Sequence, residues 1–409
     1  MNRYGIWSIP LLAAACNANA VSQQGPLTSL PATATSAPTT PVAGVASPAP
    51  EATPVSGRLE AAIVPLTPGI WQDLPPLKHP RAFHGLFRYR GFVMAMGGDN
   101  RNQLEVLDER TAQWTARPFA DPGTGWEIPP FVPALMHPLS PPVLFGPWVM
   151  LLGNPLEVGG FTVDFTPLLF NPFTGQMSPG PSSLSSFSAH RSAVGAIPDG
   201  DAQHVYVAGG EATREIPDAY ADYPLHLRAT FRTFERVSFD SLRWQRLADL
   251  PEPVSDPAVA WAPGSVYLAG GLSWLDADGK PGKPEVGQVV VEANGARPAA
   301  EAWCWRYDIA EDRWERLPDL PRARHGARAA IVGARLWVVG GRDDRGETVS
   351  RCDVLDLDKR VWSTGPNTRQ PRSHSALRAD ESGDLWLAGG LDVDRRPMDS
   401  VELLRGERP

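Results

Sequence analysis

The chain has 409 residues, of which 42% are hydrophobic, and its formal net charge is −8. This acidic balance argues against nucleic acid as the main partner, because phosphate binding needs a cationic surface. Three cysteines are too few for a disulfide framework and their spacing fits no metal motif, so we expect neither a metal site nor a cofactor.

The first 20 residues are typical of a secretory signal sequence. Arg3 supplies a positive charge, and residues 4–15 form an apolar stretch too short to span a bilayer. Two processing sites compete: a segment that ends at Cys16 resembles a bacterial lipobox, and residues 18–20 form a small-x-small cleavage site. We therefore expect export, either as a periplasmic or cell-surface lipoprotein lipidated at Cys16 or as a soluble secreted chain.

Residues 21–58 consist mainly of Pro, Ala, Thr, Ser and Val, with almost no charge and no periodicity. Such a segment cannot bury enough surface to offset its ordering entropy. We interpret it as a disordered tether between the signal sequence and a folded domain over residues 59–409.

A short apolar run ending in Gly-Gly recurs through that domain. The copies are residues 92–98, 205–210, 266–271, 336–341 and 385–390, with a degraded copy at 148–154. The spacing, between 49 and 70 residues, suits a four-stranded unit with insertions. Because the runs show no alternation, each is expected to be a strand buried on both faces.

A second feature follows each glycine pair: a strand end at Asp and, six residues later, a Trp. The clear pairs are Asp108/Trp114, Asp308/Trp314 and Asp356/Trp362, and the weaker ones are Asn171/Met177 and Asp240/Trp244. Turn residues between the two members favour a tight hairpin. We expect the recurring Trp to pack between neighbouring units.

Together these features resemble the Kelch motif, and the resemblance covers about residues 66–405. It implies an all-β, six-bladed β-propeller. The last unit lacks its Trp strand, whereas residues 70–75 match residues 313–318 and open the domain without a preceding unit. We therefore predict that this N-terminal strand completes the last blade and closes the ring.

In such a blade, with strands a to d, the d–a and b–c loops emerge on one face, which we call the loop face. The d–a loops repeat an Arg/His pattern, and Asp256 stands at the corresponding place in the fourth unit. The candidate ligand-binding residues are Arg81, His84, His190, Arg191, Glu211, Asp256, Arg324, His325, Arg372 and His374.

Two interpretations of this pattern stay open. The Arg and His side chains either hold the first turn of each blade by bonding loop carbonyls, or form an electropositive site for an anionic ligand such as an acidic sugar. A metal site made by a ring of histidines is not expected, because equivalent positions around a channel lie too far apart.

Two long insertions, residues 211–234 and 272–302, fall between strands b and c on the same face. Long loops on a rigid scaffold often carry binding, although solvated decoration is an equal alternative. Cys304 and Cys352 occupy matching places in neighbouring units. Because adjacent blades hold them too far apart for a disulfide, we expect two free, buried thiols.

The preferred function is a monomeric, non-enzymatic module that binds a protein or glycan through the loop face. The alternative is a mutarotase resembling the six-bladed bacterial sialic-acid epimerase, with the Arg/His pattern as anion clamp and Glu211 or Asp256 as acid/base carboxylate. A copper oxidase resembling galactose oxidase is disfavoured, because that family uses a further C-terminal domain and a Cys–Tyr pair in the site.

Overall fold

A computed structural model describes residues 69–98, 103–118, 141–152, 156–158, 161–163, 167–172, 176–180, 194–216, 225–275, 289–291 and 297–406. The described residues all lie within Pro54–Pro409. The predicted signal sequence, the tether and Cys16 therefore lie outside the described residues. Within the described part, no helix has the length and apolar character needed to cross a membrane.

Six antiparallel sheets of four strands form the architecture, and each sheet is one blade. In the order a, b, c, d, blade 1 is His84–Tyr89, Phe92–Gly97, Gln103–Asp108 and Gln113–Pro118; blade 2 is Val143–Phe145, Trp148–Leu151, Leu168–Phe170 and Met177–Pro179; blade 3 is Gly195–Pro198, His204–Ala208, Phe234–Ser238 and Arg243–Arg246. Blade 4 is Ala258–Ala262, Ser265–Ala269, Cys304–Asp308 and Arg313–Arg316; blade 5 is Arg328–Val332, Arg335–Val339, Cys352–Asp356 and Val361–Thr364; blade 6 is Ala376–Ala379, Leu385–Ala388, Val401–Leu404 and Trp71–Leu74.

The blades close into a ring. Strand a of every blade contacts strand a of the next, from blade 1 round to blade 6 and back to blade 1. Six apolar clusters of buried side chains fill the junctions, one between each pair of neighbouring blades. This confirms the six-bladed propeller.

Burial follows the position of a strand in its blade. Strand b of blade 4, Ser265–Ala269, and strand b of blade 6, Leu385–Ala388, are buried at every residue. Strand d of blade 5, Val361–Thr364, is mostly exposed. The apolar runs before each Gly-Gly are therefore the strands buried on both faces that the sequence predicts.

The glycine pairs join each blade to the next. A Cβ on Gly340 would lie only 2.4 Å from the carbonyl oxygen of Arg372. The N–H of Gly341 donates to that same oxygen at 2.8 Å. Both glycines have positive φ, 65° and 102°. The first glycine thus lets the next blade's loop approach, and the second supplies the hydrogen bond.

Ring closure also follows the prediction. Strand Trp71–Leu74 pairs antiparallel with Val401–Leu404, in the register Trp71↔Leu404 to Leu74↔Val401. Trp71 is 1% exposed, and its indole N–H donates to the carbonyl of Pro366 at 3.0 Å. The N-terminal strand therefore completes blade 6 and covers the edge of strand Val401–Leu404.

The recurring Trp residues and the thiols also match expectation. Trp114 is buried, and the indole N–H of Trp314 reaches across to the carbonyl of Ala248 at 2.9 Å, so these rings pack between blades. Cys304 and Cys352 are free and buried. Burial raises the pKa of each thiol to about 12, which keeps both protonated and unreactive.

Short strands decorate the blades. Leu156–Val158 and Phe161–Val163 form a hairpin in blade 2, and Arg324–His325 pairs with Arg342–Asp343 on the loop face. The insertions contain Glu211–Ile216, Leu225–Phe231 and Val289–Val291 in one sheet and Leu272–Leu275 with Arg297–Ala300 in another.

Candidate functional site

The three arginines proposed for the loop face lie inside the blades. Arg81, Arg324 and Arg372 are 0%, 1% and 0% exposed. Each forms an ion pair with a buried carboxylate on strand c of its own blade: Arg81 with Glu105, Arg324 with Asp353 and Arg372 with Glu402.

These pairs are structural. Arg81 Nη2 lies 2.7 Å from Glu105 Oε1, and the carboxylate also accepts the main-chain N–H groups of Lys78 and His79. Burial lowers the pKa of Arg81, although the Glu105 charge and hydrogen bond oppose that shift. The pairs hold the first turn of a blade, and the buried guanidinium groups are not available to a ligand.

In blades 1, 4, 5 and 6, the loop arginine and the strand c carboxylate are either both present or both absent. The register places Glu105, Asp353 and Glu402 opposite the residue two before the first glycine of each pair. In blade 4 that position is Trp305, opposite Leu268, and the arginine position is the buried Val254. An apolar contact replaces the ion pair there. This co-occurrence supports a packing role.

Two residues after each of these positions, main-chain hydrogen bonds link four of the blades around the axis. The N–H of Phe83 donates to the carbonyl of His374, the N–H of His374 to Gly326, and the N–H of Gly326 to Asp256, at 2.8, 2.7 and 3.3 Å. All four residues have positive φ, between 49° and 62°. They are equivalent positions of blades 1, 6, 5 and 4, which we call the ring positions.

Three side chains meet at this ring. One oxygen of Asp256, Oδ2, lies 3.0 Å from Nδ1 of His325 and 2.7 Å from Nε2 of His374. The three ligand atoms all lie within 4.8 Å of one another. We call these three residues the axial cluster.

The sequence prediction that histidines around the axis lie too far apart to share a metal assumed equivalent positions. His84, His325 and His374 do not occupy equivalent positions: His374 is a ring position, His325 precedes the ring position of blade 5, and His84 follows that of blade 1. The offset of one residue turns His325 toward the side chains of two neighbouring blades.

The axial cluster is largely enclosed but reaches solvent. The side chains of Asp256, His325 and His374 are 14%, 19% and 9% exposed. Burial would raise the pKa of Asp256, but its charge interactions and hydrogen bonds with His374 and His325 outweigh that effect and lower it. Burial lowers the pKa of His374, although the charge and the hydrogen bond of Asp256 oppose that shift.

Arg328, which is not among the candidate residues predicted from the sequence, lies beside the axial cluster. Its Nη1 is 4.0 Å from Asp256 Oδ1, and its Nε donates to the carbonyl of Ser375 at 2.7 Å. It is the first residue of strand a in blade 5, and the rest of that strand is apolar. A charged residue at the start of an apolar strand is the sequence signal that could have identified it.

His84 lies apart from the cluster. It is 1% exposed and neither ring nitrogen has a hydrogen-bond partner in the described structure. Burial, followed by the charges of Arg81 and Arg328, lowers its pKa well below the ordinary value. Glu211 is half-buried at the start of an insertion strand, opposite Thr230. His190 and Arg191 lie outside the described residues.

Comparison with known proteins supports a Kelch-repeat family. A model of the Kelch motif matches residues 323–369. Alpha-scruin of Limulus polyphemus is 28% identical over 152 residues, which are 36% of this chain and 14% of that protein. Kelch-like protein 34 of Homo sapiens is 27% identical over 157 residues, 38% of this chain and 22% of that protein.

A third relative, Kelch repeat and BTB domain-containing protein 13 of Homo sapiens, is 36% identical over 107 residues, 25% of this chain and 23% of that protein. These matches support a Kelch-repeat family. The matched segments span less than a quarter of each of these three relatives.

The propeller carries a further sheet beside the axial cluster. The two long insertions, from blades 3 and 4, join in one three-stranded sheet, because Leu225–Phe231 pairs with Val289–Val291 as well as with Glu211–Ile216. We call this the added sheet. Its root is tied to the loop that carries Asp256, since the N–H of Val254 donates to the carbonyl of Phe231 at 3.2 Å.

Proposed function

We propose that the chain is an exported binding module that holds a protein partner on its loop face. The observation that carries this proposal is the added sheet. Two insertions that are far apart in sequence pair with each other, and one of them is fixed to the propeller beside Asp256. Such an ordered surface on a rigid scaffold is where binding is commonly located.

The relatives support a modular role. Their names combine Kelch repeats with other domains, as in the BTB domain-containing protein of Homo sapiens and F-box/kelch-repeat proteins of Arabidopsis thaliana. In this chain the net charge of −8 disfavours nucleic acid. A mutarotase would need an anion clamp, and the arginines proposed for it are enclosed in ion pairs. Binding is therefore the function we propose.

Photo-crosslinking from defined positions tests the face. A photoreactive residue replaces the exposed Arg345 or Asp394, both in b–c loops of the loop face, and in matched controls replaces Arg110 or Lys359, exposed in c–d hairpins of the opposite face. We expect the two loop-face positions to crosslink one and the same protein and the controls to miss it. Crosslinks from the controls alone, or capture of glycan with no protein, would reject the proposal.

Export is proposed from residues 1–20 and the tether, and the mass of the mature chain tests it. We expect a chain that begins at Cys16 with attached lipid, or one that begins at Val21. Replacing Cys16 with Ser separates the two, because it abolishes only the first product. An intact chain that retains Met1 inside the cell would contradict export.

A further inference from the structure

The side chains of the axial cluster are not required by the fold. The ring positions have the same positive φ and the same main-chain hydrogen bonds in four blades, yet their residues are Phe83, Asp256, Gly326 and His374. The position before each is Ala82, Ser255, His325 and Ser373. The propeller therefore accepts apolar or small residues where it has an aspartate and two histidines.

We propose that the axial cluster binds a divalent transition-metal ion through Asp256 Oδ2, His325 Nδ1 and His374 Nε2. This site is independent of the partner-binding function, because it rests on different residues and needs no partner. The remaining coordination positions would hold water or a small ligand, since the three side chains keep 9% to 19% of their surface exposed.

The distances suit a shared ion. Zn²⁺ ligands at about 2.0–2.2 Å from the metal lie roughly 3 to 3.5 Å from one another in a tetrahedral site. The oxygen of Asp256 is already 3.0 Å from one imidazole nitrogen and 2.7 Å from the other, and all three atoms fall within 4.8 Å. Small side-chain rotations would bring all three to one ion.

The donor set selects the class of metal. Two imidazoles and one carboxylate suit Zn²⁺ and the other first-row divalent ions, whereas Mg²⁺ and Ca²⁺ prefer oxygen ligands alone. Three protein ligands with open positions are also typical of zinc sites that bind water or substrate. Among the described residues, no other group of three such side chains converges in this way.

The site is held in place before any ion arrives. A Cβ on Gly326 would lie 2.6 Å from the His374 imidazole, so the glycine makes the space that this ring occupies. Phe83, from blade 1, packs against the His374 imidazole with ring centroids 4.3 Å apart. Preorganised ligands lose little freedom on binding, which favours affinity.

Arg328 lies nearest to the Asp256 oxygen that is not a proposed metal ligand. Its guanidinium approaches Oδ1 of Asp256, at 4.0 Å, whereas both imidazoles face Oδ2. Main-chain carbonyls of Ser375 and Ala327 hold the arginine at 2.7 and 3.1 Å. Its positive charge lowers the affinity for a cation, so we expect an exchangeable ion that chelators remove.

The test uses the full chain, stripped with a chelator and titrated with Zn²⁺ against a chromophoric chelator, and with Co²⁺ followed by its visible absorption. The variants come from the chain's own blades: His325→Ser copies blades 4 and 6, and His374→Phe copies blade 1. Asp256→Asn preserves size and removes the charge. The control is His204→Ser, because His204 faces a single carboxylate, Asp199, at 2.8 Å, and no third ligand of this kind joins them among the described residues.

We expect one Zn²⁺ per wild-type chain and a Co²⁺ spectrum showing nitrogen and oxygen ligands. Each cluster variant should weaken binding by about 10-fold or more, and the control should bind like wild type. Zn²⁺ should also raise the melting temperature of wild type and not of the cluster variants. Absence of stoichiometric binding by wild type, or binding unchanged in His325→Ser and His374→Phe, would overturn the proposal.

Discussion

Blades 4 and 6 are four-stranded sheets of the same topology, but different side chains stabilise the first turn of each. In blade 6, Arg372 inserts behind strand a and pairs with Glu402 on strand c, and both are 0% exposed. In blade 4, the corresponding positions are Val254 and Trp305. The turn forms in both, so the arginine is one solution to a packing problem and not a requirement for a ligand.

The two blades also differ in how they are completed. Blade 4 takes strand d from the residues that follow strand c, Arg313–Arg316, whereas blade 6 takes it from Trp71–Leu74 at the other end of the domain. Blade 6 thus depends on a distant segment and a buried ion pair, and blade 4 on neither. We expect the stability of the ring to depend more on blade 6.

The largest effect is expected from deleting residues 59–77, which removes strand d of blade 6. The deletion uncovers strand Val401–Leu404 and takes away Trp71, which is 1% exposed. Loss of a buried Trp alone costs about 3–5 kcal/mol. The melting temperature, measured by circular dichroism, should fall by on the order of 10 °C.

Deleting residues 59–67 serves as the control, because it shortens the same end and keeps the strand. It should melt within a few degrees of wild type. If the longer deletion melts like this control, strand Trp71–Leu74 does not close the ring in solution.

The next effect is on the ion pair. Arg372→Val leaves the Glu402 carboxylate buried without its cation, and removing one partner of such a pair costs about 3–5 kcal/mol. Adding Glu402→Leu replaces the pair with apolar side chains, as in blade 4, and should recover most of that loss. Urea unfolding of the two variants measures both steps.

Arg369→Ala is the matched arginine control. Its guanidinium pairs with Asp73 on the surface, where the two side chains are 53% and 57% exposed. Such pairs contribute about 0–1 kcal/mol, so this variant should unfold nearly like wild type. A double variant no more stable than Arg372→Val would show that blade 6 cannot adopt the blade 4 solution.

The fold could be predicted from the sequence because each blade repeats its own physical requirements. The glycine pair marks where the next blade's carbonyl approaches, as at Gly340 and Arg372, and the preceding apolar run marks the strand buried on both faces. The match between residues 70–75 and 313–318 was enough to predict closure. The joining of two insertions in the added sheet could not be predicted, since it depends on contacts between segments of two blades.

The axial cluster was within reach of the sequence but was missed by treating the histidines as equivalent. The histidine follows the loop arginine by three residues in blade 1, by one in blade 5 and by two in blade 6. Those spacings place the His84 imidazole on strand a of blade 1 and turn the other two imidazoles toward Asp256. The burial of the loop arginines could be inferred only from their strand c carboxylates. Those carboxylates form a less obvious repeat in the sequence.

The smallest effect concerns pH and His84, whose counterpart in blade 6 is Ser375. Burial lowers the pKa of His84 well below 6.5, so the unfolded chain binds a proton there before the folded chain does. Stability must therefore fall as pH drops below about 6.5, by up to about 1.4 kcal/mol per pH unit for this group. His84→Ser should unfold with a shallower dependence on pH between 6.5 and 5.

His374 also has a lowered pKa, so the variant should keep part of the acid sensitivity and not lose it entirely. Urea midpoints at four pH values for wild type and His84→Ser give the difference in slope directly. The control is His204→Ser, since His204 is 34% exposed and is the first residue of strand b in blade 3. Parallel curves for wild type and His84→Ser would mean that the buried imidazole is protonated as readily in the folded ring as in the unfolded chain. In that case the interior next to Arg81 and Arg328 would have to admit water.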